Sequence, residues 1–146
     1  MSRRMKIFGG TASADLAAAV VASMAGGEME LGKSKVKRFA DGETHVSILE
    51  NVRRTDVYVI QSTCSPTNDN LLELMITMDA LRRASARSIT AVVPYYGYAR
   101  QDRKAVPRTP ITAKMVTDMI IAGGVSRIVS IDIHAAQIQE IGRAHV

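Results

Sequence analysis

The residues best suited to chemistry in this chain lie between positions 89 and 104. An apolar run at 89–93 meets Pro94, three tyrosines surround Gly97, and residues 100–104 read Arg-Gln-Asp-Arg-Lys. An arginine can donate two parallel hydrogen bonds to phosphate oxygens, and Gln101 can form hydrogen bonds with the edge of a base. Because a solvated loop gains little from aromatic side chains, we favour a site for a flat anionic ligand over a mobile basic loop.

A second candidate is the stretch Phe39-Ala40-Asp41-Gly42-Glu43. A ring followed by two carboxylates in a tight turn can cover a flat base and accept hydrogen bonds from sugar hydroxyls or an exocyclic amine. Taken alone, the same pattern also describes a hairpin turn with solvated acids.

A third candidate is the pair Asp132 and His134, which follows an apolar strand. Alternation along a strand places both side chains on one side of the sheet. Magnesium prefers oxygen ligands, so Asp132 suits it, whereas His134 would be an unusual ligand that acts partly through water. A structural role for the histidine is the alternative.

Composition limits the classes of function. The chain has 146 residues, 47% hydrophobic and 23% charged, which predicts one soluble domain with its own core. It contains no P-loop, no Gly-x-Gly-x-x-Gly and no zinc spacing. The net charge of +5 fits nucleic acid or phosphorylated small molecules, and without a nucleic-acid motif we favour the latter. The sequence contains neither a bilayer-spanning apolar run nor a signal-peptide core, and it has one cysteine, Cys64. We therefore expect a cytoplasmic protein.

Strands and helices that could position these residues alternate along the chain. Ser13 is expected to cap the first helix, and the second is expected to bury Leu71, Leu72, Leu74, Met75, Met78 and Leu81. The predicted strands are 5–8, 36–39, 45–49, 56–60, 89–93 and 128–133, and the predicted helices are 14–24, 69–84 and 112–121. The later half therefore indicates parallel β-α-β units, whose ligands bind at the carboxyl ends of the strands.

Together these segments closely resemble the ribose-phosphate pyrophosphokinase family, over about residues 5–139. The match is carried by the turn at 39–43, Asn-Asp-Asn-Leu-Leu-Glu-Leu at 68–74, the stretch 93–104, Pro-Ile-Thr-Ala-Lys at 110–114, and Asp-Ile-His-Ala-Ala-Gln-Ile-Gln at 132–139. The resemblance implies a three-layer α/β fold with a mainly parallel sheet flanked by helices, similar to the type I phosphoribosyltransferase fold. It also implies an enzyme that transfers pyrophosphate from ATP to ribose 5-phosphate, with magnesium.

The resemblance assigns roles residue by residue. It implies an ATP site made of Phe39, Asp41, Gly42, Glu43, Arg100 and Gln101, and a metal site made of His134 and Asp132. It implies ATP and ribose 5-phosphate as partners, a homo-oligomer for the full-length protein, and neither nucleic acid nor membrane. No catalytic residue of the family falls within this chain.

The chain departs from the family in its length. Family members have two similar domains, and the second carries the ribose 5-phosphate loop and a mobile catalytic loop. We therefore expect residues 1–139 to be the ATP-binding half of an enzyme that lacks its carboxyl-terminal catalytic domain and is inactive alone, and residues 140–146 to be a non-native tail. The alternatives are a non-catalytic regulatory subunit associated with the synthetase and, more distantly, a basic RNA-binding module.

Overall fold

A computed structural model of the chain describes residues 4–24 and 29–134. Within these ranges a 3-10 turn, Thr11–Ser13, leads into the first helix. The strands are β1 Met5–Gly9, β2 Ser34–Arg38, β3 Thr44–Ile48, β4 Asp56–Ile60, β5 Ser88–Tyr95 and β6 Arg127–Asp132, and the helices are α1 Ala14–Ser23, α2 Thr67–Arg83 and α3 Thr112–Ala122. The predicted tail at 140–146 lies outside the described residues.

Four of the strands form one parallel sheet in the order β1-β4-β5-β6. The other two, β2 and β3, form a separate antiparallel hairpin between α1 and β4. Each parallel pair needs a crossover, and α2 and α3 supply the crossovers after β4 and β5. The mainly parallel sheet flanked by helices is thus confirmed.

The two faces of the sheet are covered by different helices. Because side chains alternate along a strand, Ile7 and Phe8 of β1 point to opposite faces. On one face, a buried cluster joins the sheet to α2 and α3 and includes Phe8, Val57, Val59, Leu74, Met78, Leu81, Ile89, Val93, Val116 and Ile120. On the other face, α1 packs a smaller cluster that consists of Ile7, Ala17, Val21 and Ile60.

Two details of the helices differ from the expectations. Leu72 is 52% exposed, because it points away from the buried side of α2 that carries Leu71 and Leu74. Ser13 makes no capping hydrogen bond at the start of α1. Its Oγ instead accepts the N–H of Ser62 at 2.8 Å, so this buried hydroxyl ties the loop after β1 to the loop after β4.

Strand β5 continues through Pro94, where the sequence indicated a break. Its pairing with β4 ends at Val92, opposite Ile60, whereas its pairing with β6 continues to Tyr95 opposite Asp132. Proline lacks the N–H that a strand donates to its neighbour. Since Pro94 lies beyond the last residue paired with β4, the strand tolerates it.

Among the described helices, none is both long enough and apolar enough to cross a membrane.

Candidate functional site

A cleft of about 580 Å³ lies at the carboxyl edge of the sheet. One wall is the first turn of α2 with the residue before it, and the other is the end of β5 and the loop that follows it. The lining residues are Pro66, Thr67, Asn68, Asp69, Tyr95, Tyr98, Arg100 and Gln101. The cleft thus lies where ligands bind in parallel α/β sheets, and it contains the two basic-loop residues that the sequence proposed for ATP.

Thr63 joins the two walls of the cleft. Its backbone N–H and its hydroxyl both donate to the carbonyl of Tyr95, each at 3.0 Å, and Oγ1 accepts the N–H of Gly97 at 2.7 Å. A Cβ at Gly97 would lie 2.5 Å from the carbonyl oxygen of Thr63 and 2.6 Å from a methyl group of Thr67. Only glycine allows this close approach, and the position of the loop after β5 depends on it.

The three tyrosines have two different roles. Tyr95 and Tyr98 line the cleft, and the Tyr98 hydroxyl donates to Oδ1 of Asn68 across it. Tyr96 is only 4% exposed, and its hydroxyl shares a 2.8 Å hydrogen bond with Thr117 of α3. Burial raises the pKa of Tyr96. Tyr96 therefore holds the end of β5 against α3, and the rings of Tyr95 and Tyr98 remain to pack against a flat ligand.

Arg100 and Gln101 differ in how firmly they are held. Arg100 is exposed and pairs with no carboxylate in the described part of the chain. Gln101 is fixed by hydrogen bonds: its N–H donates to the carbonyl of Tyr98 at 2.9 Å, and its own carbonyl accepts the N–H of Ala113 at 3.1 Å. Its side-chain Oε1 accepts the hydroxyl of Thr112. The site thus combines one unpaired guanidinium with one oriented carboxamide.

The turn between β2 and β3 is a tight hairpin. Oδ1 of Asp41 accepts the N–H of Glu43 at 3.0 Å, and Gly42 has a φ of +93°, which favours glycine. Phe39 is 53% exposed, and its ring centroid lies 6.0 Å from that of His45.

The end of β2 next to this turn contacts one wall of the cleft. There Nη1 of Arg38 lies 2.7 Å from Oδ2 of Asp69, which lines the cleft. Among the described residues that line it, none comes from the turn at 39–43. The structure therefore brings Arg100 and Gln101 together but does not place the four turn residues with them.

Asp132 and His134 lie beside the cleft at the end of β6. Asp132 is paired with Tyr95, and both residues of the candidate metal pair are exposed. Because β6 ends at Asp132, the alternation that would place His134 on the same side does not extend to it.

This donor pair suits magnesium only in part. Within the described ranges, no three His, Cys, Asp or Glu side chains cluster as a metal site. The Asp132 carboxylate fits the preference of magnesium for oxygen, but two side chains leave most of six positions to water and phosphate oxygens.

Sequence reasoning missed a buried polar network between α2, the residues after β4 and the 3-10 turn that follows β1. Glu73 is fully buried, and its carboxylate accepts the N–H of Thr11 at 2.7 Å and the Thr11 hydroxyl at 2.5 Å. Gln61, also fully buried, accepts the N–H of Ala12 at 3.1 Å. The signal was present in α2, where buried Asn70, Glu73 and Thr77 follow helical spacing.

The mainly parallel sheet flanked by helices, which the phosphoribosylpyrophosphate synthetase structure described below shares, is a type I phosphoribosyltransferase-like fold. The family described as the N-terminal domain of ribose phosphate pyrophosphokinase matches residues 5–124. The chain therefore belongs to this ribose-phosphate pyrophosphokinase family.

Individual relatives agree with this assignment. A ribose-phosphate pyrophosphokinase of Campylobacter jejuni is 57% identical over 94% of the chain and 43% of its own length. One of Clostridium perfringens is 53% identical over 94% of the chain and 42% of its own length. The crystal structure of phosphoribosylpyrophosphate synthetase from Mycobacterium smegmatis superposes with a TM-score of 0.92 at 39% identity, covering 97% of this chain and 47% of that one. The chain thus spans less than half the length of these relatives.

Proposed function

We propose that this chain is the ATP-binding half of an enzyme that transfers pyrophosphate from ATP to ribose 5-phosphate, giving phosphoribosyl pyrophosphate and AMP. The observation that carries the proposal is the cleft at the carboxyl edge, where Arg100 and Gln101 line the same wall as Tyr95 and Tyr98, opposite the start of α2, in a chain of this family. Transfer of a phosphoryl-type group needs positioning and charge neutralisation more than covalent chemistry by the protein. The described residues offer those two contributions.

In this proposal each residue has a distinct task. Arg100 binds phosphate oxygens through charge-assisted hydrogen bonds, and Gln101 contacts the nucleotide from a fixed orientation. Phe39, Asp41, Gly42 and Glu43 hold the adenine and its neighbouring groups. Asp132 and His134 would hold Mg²⁺, which supplies neutralisation of the triphosphate charge when bound. In this proposal the groups that hold ribose 5-phosphate belong to the part of the relatives that residues 1–146 do not cover.

The proposal extends to the setting of the enzyme. Its substrates are soluble metabolites, and the composition contains a single cysteine, both of which support a cytoplasmic location. We also propose that the full-length protein is a homo-oligomer. Sedimentation of the full-length protein would contradict this if it showed only a monomer across the micromolar range.

The test adds the part of a full-length relative that this chain does not cover. Residues 1–134 are joined to the remainder of the Campylobacter jejuni relative, and this chimera is assayed for AMP formation with ATP, Mg²⁺ and ribose 5-phosphate. We expect AMP formation that requires ribose 5-phosphate in the chimera, and none above background from the 146-residue chain alone. The control is the unmodified relative. A folded but inactive chimera beside an active control would overturn the proposal.

A further inference from the structure

Gln101 has one group left for a ligand. Its backbone N–H, its carbonyl and its side-chain oxygen are all hydrogen-bonded, to Tyr98, Ala113 and Thr112 respectively. Within the described residues, the side-chain Nε2 makes no hydrogen bond to the protein. Because Gln101 lines the cleft and is exposed, that amide nitrogen is the group it can present there.

The orientation of the carboxamide has a physical cause. Thr112 is the first residue of α3, is 8% exposed, and directs its hydroxyl to Oε1 of Gln101. The positive end of the helix dipole also lies at this end of α3. That field favours the amide oxygen facing the helix and the amide NH₂ facing away from it.

We propose that Thr112 is a positioning residue for nucleotide binding. It holds the Gln101 carboxamide so that the NH₂ group points towards the cleft. Gln101 then donates to an acceptor on the nucleotide, either a ring nitrogen of the base or an oxygen, and cannot accept from an exocyclic amine. Thr112 itself touches no ligand. This inference rests on the proposed function, because it assumes that the cleft binds ATP.

The test is a double-mutant cycle in the chimera. Thr112→Val keeps the shape of the side chain and removes the hydroxyl, so the carboxamide loses its orienting bond. We expect the KM for ATP to rise about fivefold, the effect of losing one hydrogen bond, while the KM for ribose 5-phosphate stays within about twofold. Thr112→Ser keeps the hydroxyl and restores the KM, and Thr112→Ala is a second deletion in case the valine variant fails to fold.

The cycle separates positioning from a general structural role. If Thr112 acts through Gln101, then Thr112→Val adds nothing to the KM for ATP once Gln101→Ala is present. Equal, independent effects in both backgrounds, or an unchanged KM in the single variants, would overturn the inference. An unmodified chimera that binds no ATP in calorimetry would instead overturn the proposed function, so the two failures are distinguishable.

Discussion

At the scale of single residues, the basic loop shows what residue type can predict, and its ligand contacts stay a prediction. Arg100 and Gln101 were predicted as ligand contacts from residue type and from their place after an apolar strand, and both line the cleft. The tyrosines show what residue type leaves open. Three adjacent rings are equivalent in sequence, but Tyr96 is buried against Thr117, whereas Tyr95 and Tyr98 face the cleft. Packing with α3, which is distant in sequence, decides this.

Replacing Arg100 with alanine tests the phosphate contact. Arg100→Ala in the chimera removes charge-assisted hydrogen bonds worth about 1.5–3 kcal/mol each, so we expect the KM for ATP to rise about 10- to 100-fold. Binding of ribose 5-phosphate should change little, because the proposal assigns that substrate to the other half of the enzyme. Steady-state kinetics with each substrate varied gives both values. The matched control is Arg127→Ala, which removes the same charge from an exposed position at the amino end of β6.

His134→Ala tests whether His134 contributes to Mg²⁺ binding and not to nucleotide binding. We expect this variant to need more Mg²⁺ for half-maximal rate, while the KM for ATP at saturating Mg²⁺ stays close to that of the unmodified chimera. The measurement is a Mg²⁺ titration of the initial rate.

Each of these two predictions has an outcome that contradicts it. An Arg100→Ala variant with unchanged kinetics for ATP would contradict the phosphate contact. A His134→Ala variant with an unchanged Mg²⁺ titration would contradict a metal role for His134.

At the scale of elements, alternation of strands and helices was enough to predict the parallel sheet, and the ends of the helices were the weak point. Ser13 matched the residue type of a cap, but its hydroxyl bonds to Ser62, which lies 49 positions away. The break expected at Pro94 is absent for a similar reason, since whether a missing N–H matters depends on where the neighbouring strand ends. A local sequence pattern contains neither the distant hydrogen-bond partner of Ser13 nor the point at which the strand beside Pro94 ends.

The buried carboxylate of α2 gives a prediction at this scale. Glu73→Met keeps the approximate shape and leaves the N–H and hydroxyl of Thr11 without their acceptor. Hydrogen bonds to a charged group contribute about 1.5–3 kcal/mol, so we expect a loss of unfolding free energy of about that size. Urea unfolding of the 146-residue chain, followed by circular dichroism, measures it.

Glu73→Gln is the matched control. The amide oxygen still accepts the Thr11 N–H, and the amide NH₂ can donate to the Thr11 hydroxyl oxygen. We therefore expect it to lose less than half of what the methionine variant loses. Equal stability of all three proteins would show that the Glu73 to Thr11 contact does not hold the loop after β1 to α2.

At the scale of the whole molecule, the described residues cover one face of the sheet only in part. Helix α1 packs over Ile7 and Ile60, but Ile131 of β6 is 77% exposed, and Val92 and Val129 are half-buried. The opposite face is covered by both α2 and α3. Exposed apolar surface of this kind promotes association. The relatives are more than twice as long as this chain, so the uncovered face also suits contact with the rest of a longer protein.

Association of the chain at high concentration is the corresponding prediction. We expect the 146-residue chain to gain mass as its concentration rises from about 10 to 500 μM, and Ile131→Lys to reduce that gain. Sedimentation velocity measures it. The matched control is Val106→Lys, which adds the same charge at a residue that is 56% exposed in the loop after β5. A chain that stays monomeric, or equal effects of both substitutions, would contradict the prediction.

The order of the strands also has a consequence for synthesis of the protein. Apart from a single bridge between Ile7 and Leu31, β1 pairs with β4 among the described strands, and Met5 lies opposite Asp56, so β1 must wait for about fifty more residues before this pairing can form. At a ribosomal rate of about 5–20 residues per second, that delay is several seconds. During it most of β1, including Phe8, which is buried in the finished domain, has no partner strand. We therefore expect the nascent amino terminus to be a preferred substrate for ribosome-associated chaperones until β4 emerges.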